Sequence, residues 1–195
     1  MPQGSVLGPL LFILYIESLI KQLNNFSKHI EVFAYADDIK IISYNKHDLQ
    51  AALTITENWA KTWDLEINPN KSTHVKFFYG YKSSGNTNTY FINNKIIQTC
   101  QTVKDLGLIV SSNLKWVEYI EAIRNKANRI SFTIFRSFKF KNICVFVNLY
   151  KTYVRPLVEY NTCIWNPYLQ KDINRVESIQ RQFTKRLCKI TNTKF

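Results

Sequence analysis

Apolar positions recur every three or four residues along much of the chain, the spacing of helices that bury one face. This spacing predicts helices at residues 10–23, 49–63, 120–134, 143–157 and 176–190. Pro156 is expected to kink or end the fourth of these helices, because proline lacks the backbone N–H that a helix interior requires.

Short runs of β-branched and aromatic residues predict strands between the helices. Runs at 30–36 and 39–44 flank Asp37-Asp38 and predict a tight hairpin with the two aspartates at its tip. Further expected features are a strand at 73–79 after Asn68-Pro69-Asn70, a hairpin around Asn93-Asn94 and a strand at 103–110. The fold class is therefore α+β, with a mixed part up to residue 112 and a helical part from 113 to 195.

The composition excludes several classes of protein. With 46% hydrophobic residues and only 5 Gly and 5 Pro in 195 residues, the chain is neither disordered nor collagen-like. Its 4 cysteines and 3 histidines have no zinc-binding spacing, so reduced thiols in an intracellular protein are expected. The apolar run at residues 9–16 is too short to span a bilayer and follows no basic segment, which predicts no membrane association and no secretory signal.

Positive charge is concentrated in the C-terminal part. The chain has 26 basic and 14 acidic residues, a net charge of +12. Residues 1–112 contribute 10 − 9 = +1, whereas residues 113–195 contribute 16 − 5 = +11 and contain every arginine. Because the planar guanidinium suits phosphate, the helical part is expected to bind a polyanion; the alternative is a solvated basic face without a partner.

Asp37 and Asp38 are the first candidates for chemistry. Two like charges about 4 Å apart repel by about 4 kcal/mol at an effective dielectric of about 20, so adjacent carboxylates between apolar strands favour a neutralising cation. Mg²⁺ binds one or two carboxylates together with substrate phosphates, and two such ions assist phosphoryl transfer. The alternative is a solvated turn, because aspartate is common in turns.

A second candidate segment stands at the start of the sequence. Pro2, Gln3 and Gly4 belong to a loop with glycine and proline at both ends that enters the first predicted helix. Gly4 would let the backbone approach a nucleotide closely, and Gln3 offers hydrogen bonds to a base or a sugar. An ordinary turn explains the same residues, and the loop alone does not decide between the two.

Several motifs follow one another in a specific order. Pro-Gln-Gly-Ser precedes an apolar helix, Phe-Ala-Tyr-Ala-Asp-Asp follows at residues 33–38, and Asn-Pro-Asn-Lys-Ser and Asp-Leu-Gly follow at 68–72 and 105–107. Together they resemble reverse transcriptases of non-LTR (LINE-type) retrotransposons, from the segment called motif B to the thumb. Residues 149–160, 165–167 and 175–183 resemble the downstream region of the same family, so the resemblance covers essentially the whole chain.

This resemblance implies a fold and an activity. The fold would be a partial right-hand polymerase palm, an antiparallel sheet with helices, over residues 1–112, followed by a basic helical thumb-like region over 113–195. The activity would be RNA-directed DNA synthesis, a nucleotidyl transfer to a primer 3′-hydroxyl with two Mg²⁺ or Mn²⁺ ions. The implied partners are an RNA template, a DNA primer and deoxynucleoside triphosphates, and access to chromosomal DNA implies a nuclear phase.

The resemblance also implies roles for individual residues. Asp37 and Asp38 match the motif C carboxylates, with Asp37 the firmer metal ligand, and Leu106 and Gly107 match a turn that helps hold the primer end. The residues expected beside the nucleotide or template are Pro2, Gln3, Gly4 and Lys71. The residues expected to contact nucleic-acid phosphates are Arg124, Arg129, Arg175, Arg181, Lys185 and Arg186.

In the family that the chain resembles, a third catalytic aspartate and the fingers region lie upstream of the Pro-Gln-Gly loop. These 195 residues contain neither the third aspartate nor the fingers. The isolated chain is therefore expected to be nearly inactive, with the missing part supplied in a full-length parent. Two alternatives stay open: a non-catalytic basic module that binds nucleic acid, and a degenerate remnant of a mobile element.

Overall fold

The computed structural model describes residues 6–78, 88–138 and 142–191, and these form two compact units. The first unit contains residues 6–76 and 88–100, and the second contains 77–78 and the described residues from 101 onward. The strand region at 103–110, expected in the first part of the chain, thus belongs to the same unit as the helical part. The Pro2-Gln3-Gly4 loop lies outside the described residues.

Two helices and three pairs of short strands build the first unit. In chain order its elements are α1 (Gly8–Phe26), β1 (Ile30–Tyr35), β2 (Asp38–Ser43), α2 (Lys46–Thr62), β3 (Thr73–His74), β4 (Phe91–Ile92), β5 (Lys95–Ile96) and β6 (Gln98–Thr99). β1 and β2 pair antiparallel, as do β4 and β5, whereas β3 and β6 pair in parallel. The first unit is therefore an arrangement of helices and small sheets, as expected for an α+β fold.

The helices of the first unit form where the apolar spacing predicts them. Leu19 and Leu23 of α1 are fully buried, and Ala52 and Trp59 of α2 belong to the same cluster. Burial of one such large side chain contributes about 1.5–3 kcal/mol, so this cluster anchors the β1–β2 hairpin that packs on it. Asn45 caps α2, because its side-chain oxygen accepts the backbone N–H of residue 47 at 3.0 Å.

The strand predictions in the first unit are confirmed in part. The hairpin around Asn93-Asn94 is present, and both residues have positive φ, 50° and 59°, as in a type I′ turn. The strand expected at 73–79 is shorter, because only Thr73 and His74 pair with a neighbouring strand, and Tyr79 lies outside the described residues.

One hairpin and a group of helices build the second unit. In chain order its elements are β7 (Thr102–Asp105), β8 (Leu108–Ser111), α3 (Val117–Ser137), α4 (Ile143–Leu149), a π-helical turn (Tyr150–Val154), α5 (Arg155–Glu159), α6 (Thr162–Trp165) and α7 (Gln170–Thr191). α3 and α7 correspond to the helices predicted at 120–134 and 176–190. They share a core with α4 in which Phe135, Phe146 and Phe183 are buried.

Two predictions in the second unit are corrected. The strand expected at 103–110 is a hairpin that turns at Leu106-Gly107, where both φ angles are positive, 43° and 88°. The helix expected at 143–157 is interrupted, as Pro156 predicts, but the interruption is a π-helical turn at Tyr150–Val154 and the helix resumes as α5. Pro156 explains this, because in regular helical geometry its ring would clash with the carbonyl of Thr152, and the wider turn relieves that clash.

Within the part of the chain that the structure describes, no helix combines the length and the hydropathy needed to cross a membrane.

Candidate functional site

The two aspartates lie at the end of the β1–β2 hairpin, offset by one residue from the predicted tip. The turn consists of Ala36 and Asp37, and Asp38 is the first residue of β2, opposite Tyr35. Ala36 has a φ of 51°, a left-handed conformation that costs a residue with a side chain about 1–2 kcal/mol. The ladder of β1 against β2 holds the turn in this shape.

Both carboxylates are exposed, and so are two aromatic side chains beside them. Phe33 and Tyr35 are 52% and 65% exposed and lie two residues apart on β1, which places them on one face of the strand. An exposed hairpin end with two acids and two aromatic rings presents both charge and stacking surface to a partner.

The donor set at this turn suits a hard divalent cation. Carboxylate oxygens are preferred ligands of Mg²⁺, which completes its shell with water and phosphate. In residues 6–78, 88–138 and 142–191, no group of three or more His, Cys, Asp or Glu side chains could hold a metal ion. The described residues therefore offer at most a two-carboxylate site, which an ion would share with oxygens from other molecules.

Of the residues expected beside the nucleotide, only Lys71 lies in the described part of the chain. It is exposed in a turn before β3, where its backbone N–H donates to the carbonyl of Asn68 at 3.2 Å. The side-chain oxygen of Asn68 also accepts the N–H of Asn70 at 3.0 Å, so Asn68 shapes this turn. Lys71 is thus a surface cation on a well-formed turn of the first unit.

The Leu106-Gly107 turn is held by a residue that the sequence reasoning missed. Tyr160 donates its phenolic O–H to the carbonyl of Leu106 at 2.8 Å, and its ring lies over Gly107. Tyr160 stood in the segment that resembles the family, but no spacing or composition signal connects it with a residue 54 positions earlier.

The six basic residues expected at phosphates lie on α3 and α7, and most also have partners within the second unit. Arg175 pairs with the buried Asp172 at 3.1 Å, and Arg124 approaches Glu121 at 3.7 Å. Arg181 pairs with Glu177. These arginines are partly neutralised by acids on their own helix.

The other three basic residues, two on α7 and one on α3, are not paired with an acid in the described part of the chain. The guanidinium of Arg186 lies over the rings of Phe132 and Phe135, at 5.3 Å and 4.8 Å from their centroids. Arg129 donates weakly to the carbonyl of Asn125 at 3.4 Å. Lys185 is exposed. Exposed ion pairs are worth only about 0–1 kcal/mol, so a phosphate can compete for Arg124 and Arg181, whereas the carboxylate that pairs with Arg175 is buried.

A cavity of about 430 Å³ lies in the second unit between the π-helical turn and α7. Tyr150 and Phe183 contribute to its apolar wall, while Arg155 and Glu159 form an ion pair of 2.6 Å at its rim. Burial raises the pKa of the Tyr150 phenol, with Arg155 opposing and Glu159 reinforcing the rise. Glu159 also raises the pKa of Arg155 through their hydrogen bond.

Comparison with known proteins identifies the family. The family described as reverse transcriptase (RNA-dependent DNA polymerase) matches residues 1–117. The chain is 25% identical over 201 residues to the RNA-directed DNA polymerase from mobile element jockey of Drosophila melanogaster, covering 95% of this chain and 21% of that protein. It is 24% identical over 190 residues to the probable RNA-directed DNA polymerase from transposon X-element of the same species, covering 93% and 21%.

A third relative is the uncharacterized protein B0403.1 of Caenorhabditis elegans, 29% identical over 96 residues, with 48% of each chain covered. The chain spans about a fifth of the length of the two polymerases it matches. No solved structure matches it significantly. Because the family match covers more than half of the sequence and includes the Asp37-Asp38 hairpin and the Leu106-Gly107 turn, the chain belongs to the reverse transcriptase (RNA-dependent DNA polymerase) family.

Proposed function

We propose that the chain is part of an RNA-directed DNA polymerase of a non-LTR retrotransposon. The observation that carries this proposal is the exposed Asp37-Asp38 pair at the end of a strand hairpin, inside the segment that matches the family. In the reaction, the oxygen of a primer 3′-hydroxyl bonds to the α-phosphorus of a deoxynucleoside triphosphate, and the bond to pyrophosphate breaks. An RNA template selects the nucleotide.

Asp37 and Asp38 would hold two Mg²⁺ or Mn²⁺ ions with the substrate phosphates, Asp37 being the firmer ligand. When bound, the ions stabilise the charge on the attacking and leaving oxygens. The ladder of β1 against β2 holds Asp38 opposite Tyr35, and Asp37 lies in the turn that this ladder closes. Exposure of the pair leaves room for a primer end and a triphosphate to approach together.

The rest of the chain is assigned by the same proposal. Residues 1–112 form part of the palm and residues 113–195 form a thumb-like region that contacts the template–primer duplex. Pro2, Gln3 and Gly4 lie beside the nucleotide and template, Lys71 lies near the triphosphate, and Leu106-Gly107 holds the primer end. Six basic residues on α3 and α7 contact phosphates, as the net charge of +11 for residues 113–195 favours. Work on chromosomal DNA would take place in the nucleus.

We expect the 195 residues tested alone to synthesise little DNA. Two carboxylates are a small ligand set for two ions, and β1 and β2 form a two-stranded sheet. Several large apolar side chains of α1 are also exposed, namely Leu10, Leu11, Ile13 and Leu14. Within the described residues β1 and β2 form a sheet with each other alone, and such a hairpin beside exposed apolar side chains needs further protein around it for a rigid site.

Primer extension tests the catalytic assignment. A longer version of the polymerase that includes the fingers is compared with its Asp37→Asn and Asp38→Asn variants, using an RNA template and a DNA primer with Mg²⁺. Asp37→Asn should abolish synthesis, since it removes the charge that holds the ions, while primer–template affinity stays within about twofold.

Glu31→Gln is the matched control, because Glu31 is an exposed acid on β1 of the same hairpin, and this variant should retain synthesis. Synthesis by Asp37→Asn at the wild-type rate would remove Asp37 from the site.

The second candidate function is non-catalytic binding of nucleic acid by the second unit. The basic charge of residues 113–195 favours it independently of the aspartates. This function predicts salt-sensitive duplex binding by the 195-residue chain that is unchanged in Asp37→Asn and Asp38→Asn. It replaces the first proposal if the longer protein binds primer–template and yet makes no DNA in any divalent cation.

A further inference from the structure

Tyr160 joins the end of a helix to the tip of a hairpin 54 residues earlier in the chain. Its phenolic O–H donates to the carbonyl of Leu106 at 2.8 Å. Its ring also covers the next residue, because a methyl group at Gly107 would lie 3.3 Å from ring carbon Cε1. One side chain thus contacts both residues of the β7–β8 turn.

Tyr160 is itself held firmly in the second unit. Its backbone N–H donates to the carbonyl of Pro156 at 3.1 Å, and its own carbonyl accepts the indole N–H of Trp165 at 2.6 Å. Asn161 follows with a φ of 53°, a left-handed conformation that asparagine tolerates, and turns the chain from α5 into α6. Trp165 is 1% exposed and packs its ring edge-on against Tyr119. The phenol therefore extends from the helical core.

The turn that Tyr160 contacts is closed by the Asp105–Leu108 pair of the β7–β8 ladder, and Tyr160 adds a contact from outside the hairpin. Leu106 and Gly107 both adopt left-handed backbone conformations, and the Leu106 side chain is 40% exposed. Because Tyr160 holds the carbonyl of one residue and covers the Cα of the next, it fixes the orientation of the peptide unit between them.

We propose that Tyr160 is a positioning residue for the nucleic-acid end that the Leu106-Gly107 turn holds. This inference rests on the proposed function, which assigns the turn to the primer terminus. Loss of the phenolic hydroxyl removes one restraint on this peptide unit, so its orientation towards the primer terminus is less well defined. The basic surface of α3 and α7 is unchanged, so the duplex still binds.

Tyr160→Phe isolates the hydroxyl, because the ring still covers Gly107. Tyr168→Phe is the matched control, since Tyr168 is 81% exposed in the same unit. The first measurement is hydrogen exchange of the Gly107 and Leu108 amides in the free 195-residue chain. Tyr160→Phe should exchange about fivefold faster there, the effect of losing one hydrogen bond, whereas Tyr168→Phe should match the wild type. Unchanged exchange in Tyr160→Phe overturns the proposal.

The second measurement locates the primer end. The chain is bound to a primer–template duplex whose 3′-terminal nucleotide is photoreactive, and crosslinks to residues 104–109 are mapped by mass spectrometry. Tyr160→Phe should bind the duplex within about twofold of the wild type and give about fivefold less crosslink at these residues. Gly107→Ala should also lower the crosslink, because alanine is strained at a φ of 88° and its methyl group would lie 3.3 Å from the Tyr160 ring, so this variant perturbs the turn as well as the contact.

The outcomes separate the two proposals. Equal crosslinking in Tyr160→Phe and the wild type overturns the role of Tyr160 and leaves the proposed function standing. If the wild-type chain does not bind the duplex, or crosslinks only outside residues 104–109, the assignment of this turn to the primer end fails and the role of Tyr160 fails with it.

Discussion

The guanidinium of Arg186 lies 4.8 Å from the centroid of the Phe135 ring and 5.3 Å from that of Phe132. α7 therefore meets α3 through a cation on two aromatic faces, and Phe135 continues into the core through Phe183. Lys185, the preceding residue on α7, is exposed. Two adjacent cations on one helix thus have different surroundings, and we expect Arg186 to contribute more to stability and less to phosphate binding than Lys185.

Arg186→Gln should lower the free energy of unfolding by about 0.5–1 kcal/mol, the range for exposed cation–π contacts. Lys185→Gln should change it by less than about 0.5 kcal/mol, as for most surface substitutions. The effect on duplex binding should be in the opposite order, with the larger loss of affinity in Lys185→Gln. Lys185→Gln should reduce the slope of log affinity against log salt by about 0.9, the value for one lost phosphate contact.

Urea unfolding and duplex titrations at several salt concentrations check this pair of expectations. Each variant is the control for the other, because both remove one positive charge from the same helix. Equal changes in salt slope together with equal stabilities would contradict the distinction between a packed and a free cation.

The contact between α1 and α2 gives a second prediction. Trp59 donates its indole N–H to the hydroxyl oxygen of Ser18 at 2.8 Å, and Trp59 is 6% exposed. Ser18→Ala leaves that N–H without its acceptor and should cost about 1–3 kcal/mol of unfolding free energy. Trp59→Phe removes the donor as well as some apolar area.

A double-mutant cycle separates these effects. In Trp59→Phe, the further change Ser18→Ala should cost about 1 kcal/mol less than it does in the wild type, because no indole N–H is then left unpaired. The measurement is urea unfolding, combined with hydrogen exchange of α1 and α2 because the chain has two units. Additive costs in the cycle would show that the hydrogen bond does not contribute.

The helices were predictable because the apolar spacing alone defines a buried face, and α1, α2, α3 and α7 follow it. The hairpin turn was misplaced by one residue because Asp is a better turn residue than Ala, yet the β1–β2 register places Ala36 in the left-handed position. The π-helical turn leaves no mark in the spacing of apolar residues, since it arises from the ring of Pro156 and a carbonyl four residues earlier.

The candidate site was predictable to a similar degree. Asp37 and Asp38 were found because adjacent carboxylates between apolar runs are unusual, and the turn at Leu106-Gly107 was expected from the resemblance. Tyr160 was missed because its contact spans 54 residues, a tertiary contact that periodicity does not encode. The partners of Arg186 were missed for the same reason, because its side chain reaches a different helix.

Ala36→Gly should stabilise the β1–β2 hairpin. Ala36 has a φ of 51°, which costs alanine about 1–2 kcal/mol and glycine almost nothing. Glycine loses more chain entropy on folding, so the net gain should be about 0.5–1 kcal/mol. Ala34→Gly, the last but one residue of β1 and paired with Ile39, is the matched control and should destabilise the hairpin by about the same amount. Hydrogen exchange of the β1 and β2 amides measures both, and a destabilising Ala36→Gly would contradict the strained turn.

His74 makes the stability of the first unit depend on pH. Burial lowers the pKa of its imidazole, and the positive charge of Lys76 lowers the pKa further. The ring Nδ1 lies 3.2 Å from the hydroxyl of Thr99 and the ring packs at 4.7 Å from that of Tyr90, so the neutral form fits the fold.

The folded chain therefore binds fewer protons than the unfolded chain between the lowered pKa of His74 and the unfolded value of about 6.5. In that window stability rises with pH. The contribution of neutral His74 is complete above about pH 6.5, decreases as the pH falls towards the folded pKa, and is lost below it. Urea unfolding between about pH 8 and about pH 5, with hydrogen exchange of residues 88–100 as the local probe, should show this slope.

His74→Gln should flatten the slope of stability against pH, because glutamine does not titrate. His47→Gln, at an exposed position of α2, should retain the slope. A slope that persists in His74→Gln would assign the pH dependence to other groups and leave His74 as a packing residue only.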